Sequence, residues 1–365
     1  MIGAVRKAKR ILPSLVLAAV AIVSSSAQSG GAYVIEKSVV GSGGGRSSGG
    51  TYSLEGTAGQ PVAGTVSSGG QNQLYSGFWT AGSSTVASRR SPFDFDGDGK
   101  TDVSIVRPTV AEWWVLKSSN NGNFAVQFGA ATDTTVPADF TGDGRTDIAF
   151  FRPATGQWFV LRSEDNSYFA FPFGTNGDIP VPADYDGDGK ADPAVFRPSN
   201  GHWYIYRTSD GGTTSAPFGT NGDHPVPADY DGDGKSDIAI RRPSNGQWWL
   251  NRSTAGVIAY AFGTGTDKTV QGDYTGDGKA DVAVYRPSTG EWFVLRSENT
   301  SFFSFPFGAP GDVPSPGDYD GDGKTDATVF RPTGSTWFAN RSGGGVMSVV
   351  FGGSSDQPVP NTFVR

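Results

Sequence analysis

Asp184-Tyr185-Asp186-Gly187-Asp188-Gly189-Lys190-Ala191-Asp192 is one of six near-copies of a nine-residue acidic loop. The others begin at Asp94, Asp139, Asp229, Asp273 and Asp318, so successive starts lie 45, 45, 45, 44 and 45 residues apart. A fixed period of this length marks a repeat architecture, in which each unit buries its apolar surface against the next. The loop chemistry speaks for calcium, which takes about six to eight hard oxygen ligands and finds them in carboxylates at alternate positions of a tight loop.

Position 1 is Asp94, Asp139, Asp184, Asp229, Asp273 or Asp318, and position 9 is Asp102, Asp147, Asp192, Asp237, Asp281 or Asp326. Position 3 is Asp96, Thr141, Asp186, Asp231, Thr275 or Asp320, and position 5 is Asp98, Asp143, Asp188, Asp233, Asp277 or Asp322. These four positions offer side-chain oxygens. Position 7, which is Lys100, Arg145, Lys190, Lys235, Lys279 or Lys324, would offer its backbone carbonyl while its cation points to water. Glycines at positions 4 and 6 allow the chain to fold around an ion. Without a cation, carboxylates this close repel strongly, and a merely solvated acidic turn has no reason to recur six times at fixed offsets. Thr141 and Thr275 bring one negative charge fewer, so their sites are expected to be weaker, with one a candidate to stay empty. An EF-hand is disfavoured. Its loop ends in a bidentate Glu at position 12 and is flanked by helices, whereas position 12 here is Ile105, Phe150, Val195, Ile240, Val284 or Val329.

Each loop runs into a strand-like stretch, such as Asp147-Ile-Ala-Phe-Phe-Arg152, because β-branched and aromatic residues favour a pleated surface. In the fourth unit the spacing predicts strands over 238–242, 247–252 and 257–262, with Asn245-Gly246 as a hairpin signal. An extended return over 268–273 leads to the next loop. Three or four short strands in about 45 residues is the arithmetic of a propeller blade; a solenoid is the rival. The stretch 351–360 matches 173–182, the lead-in to a calcium loop, but no loop comes after it. Such an overhang is expected to pair beside the first unit and close the ring. The predicted fold is all-β: a propeller of six four-stranded blades, or seven if the N-terminal segment contributes one.

The same loops, with Phe-Gly closing each unit at Phe128, Phe173, Phe218, Phe262, Phe307 and Phe351, resemble FG-GAP/VCBS-type repeats. That resemblance covers nearly three quarters of the chain. It implies a calcium-stabilised β-propeller of the kind found in integrin α-subunit heads and exported bacterial proteins, with positions 1, 3, 5, 7 and 9 holding up to six Ca²⁺. It implies little about function, since members include adhesins, lectin-like proteins and accessory modules of enzymes.

Residues 1–27 read as a secretory signal peptide: Arg6, Lys7, Lys9 and Arg10, then an apolar run over 11–23, then Ser25-Ser26-Ala27. An uncleaved anchor is the rival. No later stretch is apolar enough to span a bilayer, so the product is expected to be exported. The chain has no Cys, and an exported chain without disulfides needs another staple; bound calcium serves. Residues 28–80 form a Gly/Ser-rich β segment, 81–91 a linker and 92–365 the propeller. Net charge is −7. Loop aspartates account for 22 of the 36 acidic residues, so the acidity is mostly metal ligand and nothing points to nucleic acid.

No catalytic constellation stands out, and the chain is expected not to be an enzyme. Gly45-Arg-Ser47-Ser-Gly49 matches the nucleophile-elbow string in a Gly/Ser-rich setting that does not suit it. His202 and His224 occupy positions where other units carry Gln157, Gln247 or Ile179 and read as rim residues. Each unit repeats a tryptophan after its turn (Trp113, Trp158, Trp203, Trp248, Trp292, Trp337) and an arginine before it (Arg107, Arg152, Arg197, Arg242, Arg286, Arg331). These are either six sugar pockets or blade packing with Arg paired to a recurring Asp such as Asp178 or Asp223. Adjacent large apolar residues in 157–161 favour packing. The expected function is an exported, monomeric, calcium-stabilised binding or adhesion module for a protein or glycan at the cell surface. A multivalent carbohydrate-binding lectin is the alternative.

Overall fold

The computed structural model describes residues 91–365 and, ahead of them, the backbone of three short hairpins. The hairpins pair Ser29–Gly30 with Tyr33–Val34, Gly45–Gly49 with Tyr52–Gly56, and Ser67–Gly69 with Asn72–Leu74. The elbow-like string is thus itself a hairpin strand, not a strand-to-helix turn. The signal-peptide reading of 1–27 and the linker reading of 81–90 lie outside the described residues. The chain divides into two units, 1–86 and 87–365.

In the second unit every acidic loop runs into a strand of bulky apolar residues, which turns back on itself twice. Ala194–Arg197, His202–Tyr206 and Thr213–Pro217 are such a set, paired antiparallel throughout. Burial grades outward across it. The first of the three is buried nearly end to end, the next alternates, and the last is exposed at every other residue. The fourth strand of each sheet comes from the preceding repeat: Ile179–Pro180, the extended return, pairs with Val195 and Phe196. Sequence unit and blade are therefore out of phase by one short strand. The pattern gives six four-stranded antiparallel sheets, a six-bladed propeller. In the fourth blade the strands are Ile238–Arg242, Gln247–Arg252 and Gly256–Ala261, the last one residue earlier than the sequence spacing indicates.

The first blade has no preceding unit to lend it a strand. Gln357–Pro358 takes the place, opposite Val106 and Ile105, and closes the ring as the matched overhang predicts. Among the described residues the ring has six four-stranded sheets, not seven, and all their strands come from 103–358. The stretch beyond the closing strand does more than the sequence suggested. Asn361 Nδ2 donates to Pro314 O at 2.7 Å in the sixth blade, and Thr362 Oγ1 lies 3.0 Å from Thr135 Oγ1 in the second. Arg365 exchanges bonds with Thr269 in the fifth. Contacts to the opposed second and fifth blades mean that 361–365 crosses the centre of the ring. Among the described residues no helix is long and apolar enough to cross a membrane.

Six hydrophobic clusters hold the blades together, each joining one blade to the next. One unites Phe151, Trp158 and Val160 with Ala191 and Val195 of the following blade, and another closes the ring by joining Ile105 to Tyr319, Phe330 and Trp337. Each cluster contains one of the six repeated tryptophans. All six are fully buried, at 0–1% exposure. Their indole N–H groups donate to the carbonyl of the Phe in each Phe-Gly: Trp158 to Phe173 at 2.7 Å, Trp203 to Phe218 at 2.8 Å, and likewise in the other four. The Phe-Gly corner then lies against the hairpin turn. A Cβ built on Gly201 would sit 2.2 Å from Gly219 O, which explains the glycine of that turn.

The six arginines pair with buried aspartates as packing requires. Arg152 meets Asp133, Arg197 meets Asp178, Arg242 meets Asp223, Arg286 meets Asp267 and Arg331 meets Asp312, all at 2.7–2.9 Å. Arg107 reaches across the closure to Asp356 at 3.4 Å. The tryptophans are therefore core, not sugar platforms. Trp158→Ala should cost about 3–5 kcal/mol and lower the melting temperature by roughly 10 °C. Scanning calorimetry of the variant checks this; a melt within about 1 °C of the parent would return Trp158 to the surface.

Candidate metal centre

The six acidic loops are built alike. The position-1 carboxylate is gripped by the loop's own backbone: Gly187 N donates to Asp184 Oδ1 at 2.6 Å and Gly189 N to Oδ2 at 2.9 Å. The position-9 carboxylate ties the loop to the rest of the blade. Asp192 Oδ2 accepts from Tyr185 N at 3.0 Å, and Oδ1 from Thr208 N at 2.7 Å, on the turn before the outermost strand. Asp102, Asp147, Asp192, Asp237, Asp281 and Asp326 are all buried.

In four loops the carboxylates of positions 1, 3 and 9 converge, each giving an oxygen within 4.8 Å of the others. These groups are Asp94/Asp96/Asp102, Asp184/Asp186/Asp192, Asp229/Asp231/Asp237 and Asp318/Asp320/Asp326. Burial, reinforced by neighbouring carboxylates, pushes Asp102 up to about 7 and Asp237 and Asp326 up to about 6. Burial also raises Asp94, Asp184, Asp229 and Asp318. A bound cation would relieve the repulsion within such a cluster, as protonation of one carboxyl does at lower pH.

Position 3 gives a direct indication of fit. Asp231 Oδ1, Asp320 Oδ1, Thr141 Oγ1 and Thr275 Oγ1 are shielded from solvent with no hydrogen-bond partner. A buried oxygen without a donor is costly. A side-chain oxygen of the same loop position is left without one in four of six blades, as expected if the missing partner is a metal ion. Hard carboxylate and hydroxyl oxygens suit calcium or magnesium, not softer metals.

The position-5 carboxylates stand one step outside these clusters. Asp188 Oδ1 accepts from Lys190 N at 2.8 Å and Oδ2 from Thr208 Oγ1 at 3.0 Å. Asp98, Asp143, Asp277 and Asp322 repeat the pattern with Ser118, Ser163, Ser297 and Ser342. These turn hydroxyls, with Thr208 and Ser253, escaped the sequence reading. The signal was there, since each comes directly after the basic residue that closes the second strand of its repeat.

The position-7 side chains do not simply enter solvent. Each lies over the position-4 glycine of the preceding loop: a Cβ on Gly97 would be 3.0 Å from Arg145 Nε, and one on Gly187 3.1 Å from Lys235 Cε. The backbone repeats the link. The position-8 N–H donates to the position-1 carbonyl of the loop before it: Thr146 to Asp94, Ala191 to Asp139, Ser236 to Asp184, Ala280 to Asp229 and Thr325 to Asp273, with Thr101 to Asp318 completing the circle, all at 2.6–2.7 Å. The six loops thus form one continuous belt on one face.

A cavity of about 490 Å³ lies between the crossing tail and the first two blades, with Thr134, Thr135, Asn361, Thr362 and Arg365 in its wall. His224 is half-buried, and burial together with Arg241 depresses its pKa. His202 bonds Asn200 O at 2.9 Å on the rim.

The profile of FG-GAP-like repeats matches residues 94–150, 139–195, 184–240, 229–284 and 273–329. No curated protein matches the sequence. Similar solved structures include a streptogramin B lyase at 10% identity and a TM-score of 0.48, covering 70% of this chain and 80% of that one. An Agrocybe aegerita lectin that recognises non-reducing terminal N-acetylglucosamine has 14% identity and a TM-score of 0.47, covering 68% and 90%. Virginiamycin B lyase from Staphylococcus aureus with quinupristin has 9% identity and a TM-score of 0.44, covering 69% and 85%.

Proposed function

The chain belongs to the FG-GAP-like repeat family, and on that premise we propose that it is an exported, calcium-stabilised propeller that works as a binding or adhesion module. The observation that carries the metal reading is the set of orphaned position-3 oxygens inside the acidic loops. Calcium fits better than magnesium: the loops gather many oxygens around a backbone turn, whereas magnesium holds on to several of its waters. The aspartates of positions 1, 3 and 9 would hold the ion, with position 5 and the position-7 carbonyl within the same loop to complete its shell. Bound metal would neutralise the cluster and lock each loop to its blade.

The binding reading rests on the architecture. The repeated aspartates are committed to the loops, and the buried tryptophans take away the six sugar platforms on which a lectin reading would stand. Exposed Tyr168, Phe302 and Val350 on the outermost strands give the circumference apolar points of contact. A protein ligand at the cell surface is the partner we favour.

The test has two arms. Apoprotein titrated with Ca²⁺ by calorimetry is expected to take up at least four ions, one for each three-aspartate cluster; no uptake would overturn the metal reading. Immobilised cell-surface proteins and a glycan array are then probed with calcium and with chelator. Saturable, calcium-dependent binding confined to glycans would favour the lectin instead.

A further inference from the structure

We propose that Glu164 and Glu298 complete the cation sites of the second and fifth blades, restoring from the adjoining turn the carboxylate that Thr141 and Thr275 lack on the loop. The inference rests on the reading of the acidic loops as calcium sites and adds two sites to the four aspartate clusters.

In the other four blades the position-3 aspartate is met by the second residue of the turn before the outermost strand. Ser119 Oγ donates to Asp96 Oδ2 at 2.6 Å, Ser209 Oγ to Asp186 at 2.7 Å, Thr254 Oγ1 to Asp231 at 2.6 Å, and Gly343 N to Asp320 at 2.9 Å. Each partner stands 23 residues after position 3. The residues at the same offset from Thr141 and Thr275 are Glu164 and Glu298. Where position 3 is Asp the turn carries Ser, Thr or Gly; where position 3 is Thr the turn carries Glu.

The exchange keeps the charge of the site constant. Three loop aspartates and one glutamate equal the four aspartates of every other blade. The second and fifth units are alike along much of their length, as in Arg162-Ser-Glu164 and Arg296-Ser-Glu298, so the coincidence counts once. What makes it chemical is its position. A serine at this offset already brings its hydroxyl within hydrogen-bond distance of the position-3 carboxylate, and a glutamate is two bonds longer. That extra length would let it turn in toward the place that the shorter threonine leaves open.

A second observation points to a ligand at both places. Thr141 Oγ1 and Thr275 Oγ1 are solvent-shielded and have no hydrogen-bond partner. Among the described residues neither glutamate side chain is held by a hydrogen bond, and Glu298 makes one long ion pair. Glu164 is exposed, and Glu298 Oε1 lies 3.9 Å from Arg296 Nε, beyond hydrogen-bond reach, with its side chain 39% exposed.

The test counts ions. Purified protein is stripped with chelator and titrated with Ca²⁺, and bound metal is measured by equilibrium dialysis and elemental analysis. The parent is expected to bind six ions. The double variant Glu164→Gln, Glu298→Gln should bind four at unchanged affinity, with the other two weakened at least tenfold. Moving the carboxylates back to the loops, in Thr141→Asp, Glu164→Ser, Thr275→Asp, Glu298→Ser, should restore six. In chelator the parent and the glutamine variant should melt alike, because the glutamates act only through the ion. A parent that binds four ions overturns this inference and leaves the calcium reading standing; a parent that binds none overturns both. Six ions with unchanged affinity in the glutamine variant, failure of the exchanged variant to restore two sites, or a lower melt of the glutamine variant in chelator would each overturn the assignment of Glu164 and Glu298.

Discussion

Removal of residues 351–365 is expected to give a protein that aggregates, or melts in a broad and weakly cooperative transition. The deletion takes away Gln357–Pro358, the strand that pairs with Val106 and Ile105, and so bares the edge of Val103–Arg107. An open, apolar strand edge is a template for association. It also removes Phe351 O, which accepts the Trp337 indole N–H, and Asp356, which pairs with Arg107. The fully buried Val359 and the segment that ties the second, fifth and sixth blades across the centre go with them. The loss is thus spread over most of the ring. Size-exclusion chromatography and calorimetry of the truncated protein check it. A monomer with the parental melting curve would show that the ring does not depend on its closure.

Chelation is the second large effect. Stripping the metal, with its loss verified by elemental analysis, should lower the melting temperature by more than ~10 °C. At a free ion concentration a hundredfold above Kd, each site contributes ~2.7 kcal/mol, and four or more such sites act on one cooperative body whose melt moves ~2–4 °C per kcal/mol. The pH dependence should then show what the metal was compensating. In the chelated protein Asp102, held near 7, and Asp147, Asp237 and Asp326, held near 6, have folded-state pKa values above the ordinary carboxylate value. Groups raised in this way contribute stability that is fully present below their unfolded pKa and is lost as pH rises through the folded one. The chelated protein should therefore become less stable from about pH 4 to pH 7, while calcium removes that decline. An unchanged melt after verified metal loss would refute the role of the ion as a staple.

Most of this was legible because the signals are local. The strand after each loop announces itself by bulky apolar residues, and the turn before Trp203 or Trp248 by Asn-Gly. The burial of Trp158 is implied by the large apolar residues beside it in 157–161. Even the closure could be read, since 351–360 copies 173–182. The features that escaped reading have no side-chain signature or depend on distant pairing. Ile179–Pro180 and its equivalents are two residues long and contain proline in four of the six cases. Nothing local says that they pair with the next blade instead of their own. The turn hydroxyls looked like ordinary loop serines until Asp143 and Asp277 were placed opposite them. The bonds from loop to loop use only main-chain N–H and C=O groups, which any sequence carries.

Those main-chain bonds make the acidic face a hoop. Its six links act in series, so tension that tries to widen the ring is felt equally by all of them, and the belt can only part at one place. Five links join residues 51 or 52 positions apart, within one repeat and a little more of chain. Thr101 to Asp318 spans 217 residues and is held shut by no nearby chain. That clasp is where the hoop would spring first. The doubled contact there, with Thr101 N donating to Asp318 O and Asp318 N to Thr101 Oγ1 at 2.9 Å, reinforces the one join that chain continuity does not protect.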